Sequence, residues 1–344
     1  MNISRRTLLS LGVGGLALLT APSVWAASTG PRYLGVRRLG DGRAEPFRFA
    51  ACVADAHGCV LRQVDLPARG HGFALRPDGT LAVALARRPG TFAAAFAVDG
   101  DGPARVFHAP AGRHFQGHAV FEPTGRHLFA TENDFDNARG CIGVYDAADG
   151  FKRVGELPSH GVGCHELVLM PDGRTAAVAN GGILTHPDSG RAKLSIRHLA
   201  AFDDGRVVFA CQDQGPATDG LTLVGLHRSG SGRIEDLEAP ETTIQNLNGY
   251  CGSVAVDRGG KLAAVSAPRG NRVLFWNTLT GDLAGNVAIA DGCGLAPGPA
   301  SGSFVLTSGM GAFLVSGPDL PTPAASEDGA PWDNHLLAVP DMRA

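Results

Sequence analysis

The sequence predicts an all-β fold, a seven-bladed β-propeller, and three observations carry that prediction. The first is punctuation: 48 glycines and 22 prolines among 344 residues break the chain too often for long helices. The second is a repeat. Gly70-His71-Gly-Phe-Ala-Leu-Arg-Pro-Asp-Gly79 returns as Gly117-His118-Ala-Val-Phe-Glu-Pro-Thr-Gly125 and as Cys164-His165-Glu-Leu-Val-Leu-Met-Pro-Asp-Gly173, which sets His71, His118 and His165 47 residues apart. The third is the chain after each copy: short apolar runs between glycine-rich turns, about four per repeat, as in a propeller blade.

Taken in order, 32–38, 47–54 and 61–66 read as strands ahead of the first repeat. Inner strands begin near His71, His118, His165, His198, Gly252 and Cys293 and end in Pro-Asp-Gly or an equivalent tight turn. Second strands come next at 81–86, 128–131, 175–179, 207–210, 262–266 and 304–308; third strands include 91–98, 141–145 and 272–276, and fourth strands 104–109 and 151–157. The C-terminal run 334–339 supplies the missing partner for the three orphan strands at the start. The two chain ends therefore pair, a seventh blade closes the ring, and no sheet edge stays open. His165 and His198 are only 33 residues apart, so the third blade is expected to lack regular outer strands.

The first 26 residues read as a cleavable export signal, with Arg5-Arg6, an apolar run of about 14 residues from Leu8, and small residues before the cleavage point at Ala26. Ser4-Arg5-Arg6-Thr7-Leu8 resembles the twin-arginine type, which carries folded proteins to the periplasm. An ordinary secretory signal with two arginines is the alternative. Residues 27–344 are then a single propeller domain. No later stretch approaches the ~20 apolar residues of a membrane span. A net charge of −3 argues against a dedicated nucleic-acid binder. None of the seven cysteines forms a CxxC pair. Cys52 and Cys59 flank a turn and can bridge in an oxidising compartment; small buried side chains are the alternative.

In a propeller the start of each inner strand and the end of the second strand emerge on one face. On that face the sequence places His71, His118, His165 with Glu166, His198 and, in the closing blade, His335. Imidazole is the commonest transition-metal ligand, so these six residues are candidate ligands for a metal, iron or copper among them. The competing reading is that each histidine closes its own blade by hydrogen-bonding a neighbouring carbonyl or carboxylate. The same face carries Arg87, Arg88, Glu132, Asn133, Asp134, Asn180, Arg197 and Arg269 as candidate ligand-binding residues. The arginines suit bidentate contact with an anion, or ion pairs between blades. Glu132 and Asp134 are a candidate carboxylate pair. No phosphate loop, nucleophile elbow or Ser-His-Asp pattern is visible, and no catalytic residue is assigned.

The strings Arg69-Gly-His-Gly72, Ala86-Arg-Arg-Pro-Gly90, Thr131-Glu-Asn-Asp134, Ile142-Gly-Val-Tyr-Asp146, Ala179-Asn-Gly-Gly182, Thr185-His-Pro-Asp188, Leu194-Ser-Ile-Arg-His-Leu199, Ser266-Ala-Pro-Arg-Gly270 and Trp332-Asp-Asn-His335 together resemble the exported bacterial family catalogued as domain of unknown function 1513. The chain departs from the family pattern between Arg191 and Ser195, where members carry an extra stretch with two more strands. The resemblance implies an iron-uptake setting beside imelysin-like periplasmic proteins. The expected function is a non-catalytic periplasmic propeller holding a metal ion or metal-bearing ligand on its histidine-rich face. The rivals are a metal-assisted lyase, lactonase or oxidoreductase, and a scaffold that docks an imelysin-like or other periplasmic partner.

Overall fold

The structure is a computed structural model and describes residues 30–40, 46–182, 194–216, 220–320 and 330–340. The expected export signal lies outside the described residues, and so does the Thr185–Asp188 string. Among the described residues, no helix is long and apolar enough to cross a membrane.

The chain folds as an all-β propeller of antiparallel sheets. β1 (Arg32–Leu39), β2 (Arg48–Asp55) and β3 (Val60–Leu66) form the first sheet, completed by the C-terminal β25 (Trp332–Val339) in the order β25-β1-β2-β3. The second sheet is β4 (Gly70–Leu75), β5 (Leu81–Ala86), β6 (Phe92–Ala97) and β7 (Arg105–His108). The third is β8 (Arg113–Phe121), β9 (His127–Asp134), β10 (Arg139–Asp146) and β11 (Lys152–Pro158). A hairpin comes next, β12 (Cys164–Leu169) with β13 (Ala176–Asn180). Then come β14 (Leu194–Ala201), β15 (Arg206–Asp213), β16 (Val224–Arg228) and β17 (Ile234–Asp236). After the short helix α1 (Glu241–Gln245), the next sheet is β18 (Ser253–Val256), β19 (Leu262–Ala267), β20 (Arg272–Asn277) and β21 (Leu283–Ala288). The last has three strands, β22 (Gly292–Pro297), β23 (Phe304–Ser308) and β24 (Phe313–Ser316).

Six of these sheets are blades of three or four strands. The hairpin β12–β13 stands where the short His165–His198 interval predicts a reduced blade, and a count of seven requires treating it as a blade in its own right. The expected pairing of the chain ends is present: Arg32 registers with Val339 and Gly35 with Leu336. The possible Cys52–Cys59 bridge is absent. Both thiols are free, because β2 sets Cys52 opposite Gln63 rather than Cys59.

Burial explains why these sequences make strands with both faces covered. Leu81–Ala86 reads LAVALA and Phe92–Ala97 reads FAAAFA, and both runs are almost wholly buried. Alanine lets adjacent sheets approach closely while phenylalanine fills the wider gaps. The outermost strands β7, β11 and β17 are largely exposed. Each gap between neighbouring sheets holds its own apolar cluster, such as Phe107, Phe115, Tyr145 and Phe151 between the second and third sheets, with the Phe107 and Phe151 rings stacked at 4.6 Å. The gap between the third sheet and the hairpin is different, since polar contacts bridge it. Thr131 Oγ1 donates to the carbonyls of His118 (3.0 Å) and His165 (3.1 Å), and Cys164 Sγ lies 3.3 Å from the Glu132 carbonyl.

Candidate functional site

The innermost strands β25, β4, β8, β12, β14, β18 and β22 touch one another in a closed circle. Five of them carry a histidine, and at each histidine the ladder to the neighbouring strand slips. The register shifts between Gly70 and Phe73, Phe115 and Ala119, Cys164 and Glu166, and Ile196 and His198; on β25 it shifts across Asp333 to His335. A β-bulge frees backbone from the ladder and re-aims the side chain there. Glycine makes room for the result. A β-carbon on Gly72 would come within 2.6 Å of the Gly117 carbonyl oxygen.

The five imidazoles come together. Ring centroids of His71 and His118 lie 5.0 Å apart, of His118 and His165 5.0 Å, of His165 and His198 5.1 Å, of His198 and His335 4.8 Å, and of His335 and His71 4.4 Å. Ligand atoms of His71, His118 and His165 all fall within 4.8 Å of one another, as do those of His118, His198 and His335. All five rings are buried.

Glu166 stands behind two of these rings. Its Oε1 is 3.2 Å from His118 Nδ1 and its Oε2 3.1 Å from His198 Nδ1, while Oε2 also accepts the Leu199 N–H at 3.0 Å. The sequence places Glu166 among the candidate ligands; in the structure both of its oxygens serve the imidazoles and it orients them. That arrangement puts N–H on Nδ1 and leaves Nε2 as a lone pair. His335 Nε2 lies 3.2 Å from His71 Nε2, and His335 Nδ1 lies 3.4 Å from Ser253 Oγ, a contact that the sequence did not signal because Ser253 breaks the histidine repeat. Within this ring, three buried nitrogens have no hydrogen-bond partner among the described residues: His71 Nδ1, His118 Nε2 and His165 Nδ1.

Burial, reinforced by neighbouring positive groups, holds His71 and His165 well below the usual imidazole range. His335 is pushed well down in the same way, and His198 is lowered by burial against the opposing pull of Glu166. For Glu166, burial works to raise the carboxyl, but His118 and His198 outweigh it and hold it well below the carboxylate range. His71, His165, His198 and His335 are therefore neutral imidazoles, and the site also holds one ionised carboxylate.

The other candidates divide. Arg87 and Arg88 come directly after β5, Arg197 is the bulged residue before His198, and Arg269 sits in the 3₁₀ turn Pro268–Gly270 after β19. Among the described residues none of the four meets a carboxylate, whereas neighbouring Arg69 is held by Asp333 at 2.5 Å. Arg197 is pushed down to about 10 by burial and by the charge of Arg88, and Arg88 is lowered by burial and Arg87. Arg269 lies over the Tyr250 ring at 4.9 Å.

Glu132 and Asp134 do not form a strand-end carboxylate pair. β9 runs through to Asp134 and pairs with Arg113–Phe115, so both are ladder residues. Glu132 is fully buried and accepts from Tyr145 Oη (2.5 Å) and Arg153 (3.0 Å); Asp134 accepts from Asn137 and Arg139. Both are ion-paired structural groups. Asn180 ties its Nδ2 to the Ser159 carbonyl at 2.7 Å, and Asn133 is buried with an unpartnered Oδ1.

The family model described as Protein of unknown function (DUF1513) matches residues 64–196 and 192–339. The chain belongs to the DUF1513 family. No curated protein sequence matches it. Among solved structures, this DUF1513 chain is similar to Kuenenia stuttgartiensis hydrazine synthase, at 14% identity and a TM-score of 0.58 over 80% of this chain and 93% of that one. It is similar to the Pseudomonas aeruginosa periplasmic gluconolactonase at 16% identity and 0.58, over 90% and 99%. It also resembles a chain in the Mitotic Checkpoint Complex at 13% identity and 0.54, over 75% and 78%. At such identities the likeness is one of fold.

Proposed function

We propose that this DUF1513 protein is a periplasmic propeller that holds a transition metal ion, or a ligand carrying one, at the ring of His71, His118, His165, His198 and His335. One observation carries the reading: three buried imidazole nitrogens in that ring have no partner. Leaving a buried polar group unsatisfied costs about 1–3 kcal/mol, and three together in one grouped set are what a metal ligand set provides. Neutral imidazoles are the protonation state that binding requires. Glu166 orients His118 and His198 from behind, as carboxylates do behind metal-binding histidines. Ligand atoms up to 4.8 Å apart are wider than the ~4.2 Å that two ~2.1 Å bonds can span, so binding draws the rings inward.

Export by a twin-arginine signal belongs to this proposal through Ser4-Arg5-Arg6-Thr7-Leu8, and an iron-acquisition role and an imelysin-like partner through the family resemblance. Counting the β12–β13 hairpin as a reduced blade makes the propeller seven-bladed.

Elemental analysis of tag-free protein purified from its natural compartment tests the reading. Stoichiometric iron, copper or another transition metal that is lost in His118→Ala supports it. Protein that carries none and takes up none when titrated would sink it. A metal-assisted enzyme is the second reading, favoured by the ionised Glu166 beside the imidazoles of His118 and His198. Turnover on a panel of lactones and other periplasmic substrates separates it from simple binding.

A further inference from the structure

We propose that Arg87, Arg88, Arg197 and Arg269 form a binding site for a small polyanion, one bearing two or more carboxylate or oxyanion groups, at the mouth above the histidine ring. Many of this protein's other arginines pair with acids: Arg113 and Arg139 meet Glu156, Arg126 meets Asp146, Arg153 meets Glu132, and Arg206 meets Asp204. At the mouth, four guanidinium groups arrive from three different blades, and among the described residues none has an acidic partner.

Two acids of the site are already engaged. Both oxygens of Glu166 serve imidazoles, and Asp333 is taken by Arg69. Glu166 beneath supplies one carboxylate, already shared by two imidazoles, against four guanidinium groups, so it cancels little of the charge above it. Positive groups brought together on a partly buried face leave an unbalanced field, and such a field concentrates anions. Guanidinium chemistry then selects the ligand, since its planar fork matches carboxylate and phosphate oxygens two at a time. Tyr250 adds a floor. It pairs with Gln212, lies under Arg269 and comes within 3.4 Å of Asn334 Nδ2, so that guanidinium is oriented before any ligand arrives. Four such groups call for a ligand with several anionic oxygens rather than one.

The anion site goes beyond the metal reading, because it stands whether or not the ring holds an ion. The test is calorimetric titration with citrate, and in parallel with inorganic phosphate and acetate. The protein is made metal-free on a chelating resin, since a soluble aminocarboxylate chelator would itself compete. Saturable citrate binding, tighter than acetate, should weaken with rising salt. Arg88→Gln with Arg197→Gln should weaken it about tenfold or more, and Arg269→Gln, on an exposed side chain, by severalfold. Arg48→Gln, which breaks an exposed pair with Asp65, should leave affinity unchanged. Phosphate binding with the same arginine dependence also supports the site and names the oxyanion source. No binding of citrate or phosphate at millimolar concentration by folded protein overturns the proposal. So does citrate affinity that survives the double substitution. If the double variant does not fold, unchanged affinity in Arg269→Gln overturns it. Elemental analysis of the same preparation reports on the metal separately, so either reading can fail alone.

Discussion

A β-carbon placed on Gly117 would lie 2.3 Å from Cδ2 of His71, so the bulge of one blade is shaped to receive the imidazole of the next. Gly117 also has φ of +101°, a backbone region that side chains disfavour. Gly117→Ala should therefore destabilise the fold by about 1–3 kcal/mol and displace His71. A thermal melt and a metal titration of the same variant check both halves. A variant that melts like the parent and loads metal normally would contradict the close fit.

Glu166 holds two of the rings through their Nδ1 atoms. Glu166→Gln keeps the shape and removes the charge, and metal affinity should fall about 10–100-fold. The measurement is a competition titration of metal-free protein. An unchanged affinity would mean that His118 and His198 are held well enough by packing alone.

The turn carboxylates set the response to acid. Burial works to raise Glu122, but the Thr124 hydroxyl and the N–H groups of Thr124, His127 and Arg126 outweigh it and bring it from 4.5 to about 2. Asp172 drops from 3.8 to about 2 through the Thr175 hydroxyl and the N–H groups of Thr175 and Arg174. Because the folded values are depressed, the unfolded chain takes up protons first. Their contribution is complete above roughly pH 5 and is lost as pH falls from there towards 2. Denaturant midpoints measured across that window should fall, and Glu122→Gln should flatten the slope. A slope unaltered in that variant would show that Glu122 contributes nothing to it.

Thiol chemistry should be sharply uneven. Burial pushes Cys52, Cys164 and Cys211 up to about 12 and Cys141 up to about 11. Of the seven free cysteines, only Cys59 is exposed. A thiol reagent should label Cys59 quickly in folded protein and all seven in denaturant. Rapid labelling of Cys164 would mean that the hairpin opens readily from the third sheet.

The propeller was legible because its repeat is local. The expected second strand at 81–86 and that at 304–308 coincide with β5 and β23, and the turns after Leu75, Phe121 and Leu169 fall where Pro-Asp-Gly and its variant stand. Convergence of the histidines followed from register alone. The bulges did not, since they depend on how each inner strand meets the next blade. Nor did the roles of the acids. Glu166 and Glu132 look alike in sequence, but one lies behind two imidazoles while the other is buried against Arg153 and Tyr145. Arg153 lies on an outer strand, far from any motif that marked the site. The short His165–His198 interval marked an irregular stretch in the sequence, and of that stretch the β12–β13 hairpin is what the structure describes.

His335 belongs to β25, the strand that pairs with β1 and closes the ring. β25 thus supplies both the clasp of the ring and one wall of the site, so a chain lacking that strand has neither. By mass action, whatever occupies the ring also strengthens the clasp. Occupancy would then act as a seal, slowing any opening of the β25–β1 seam.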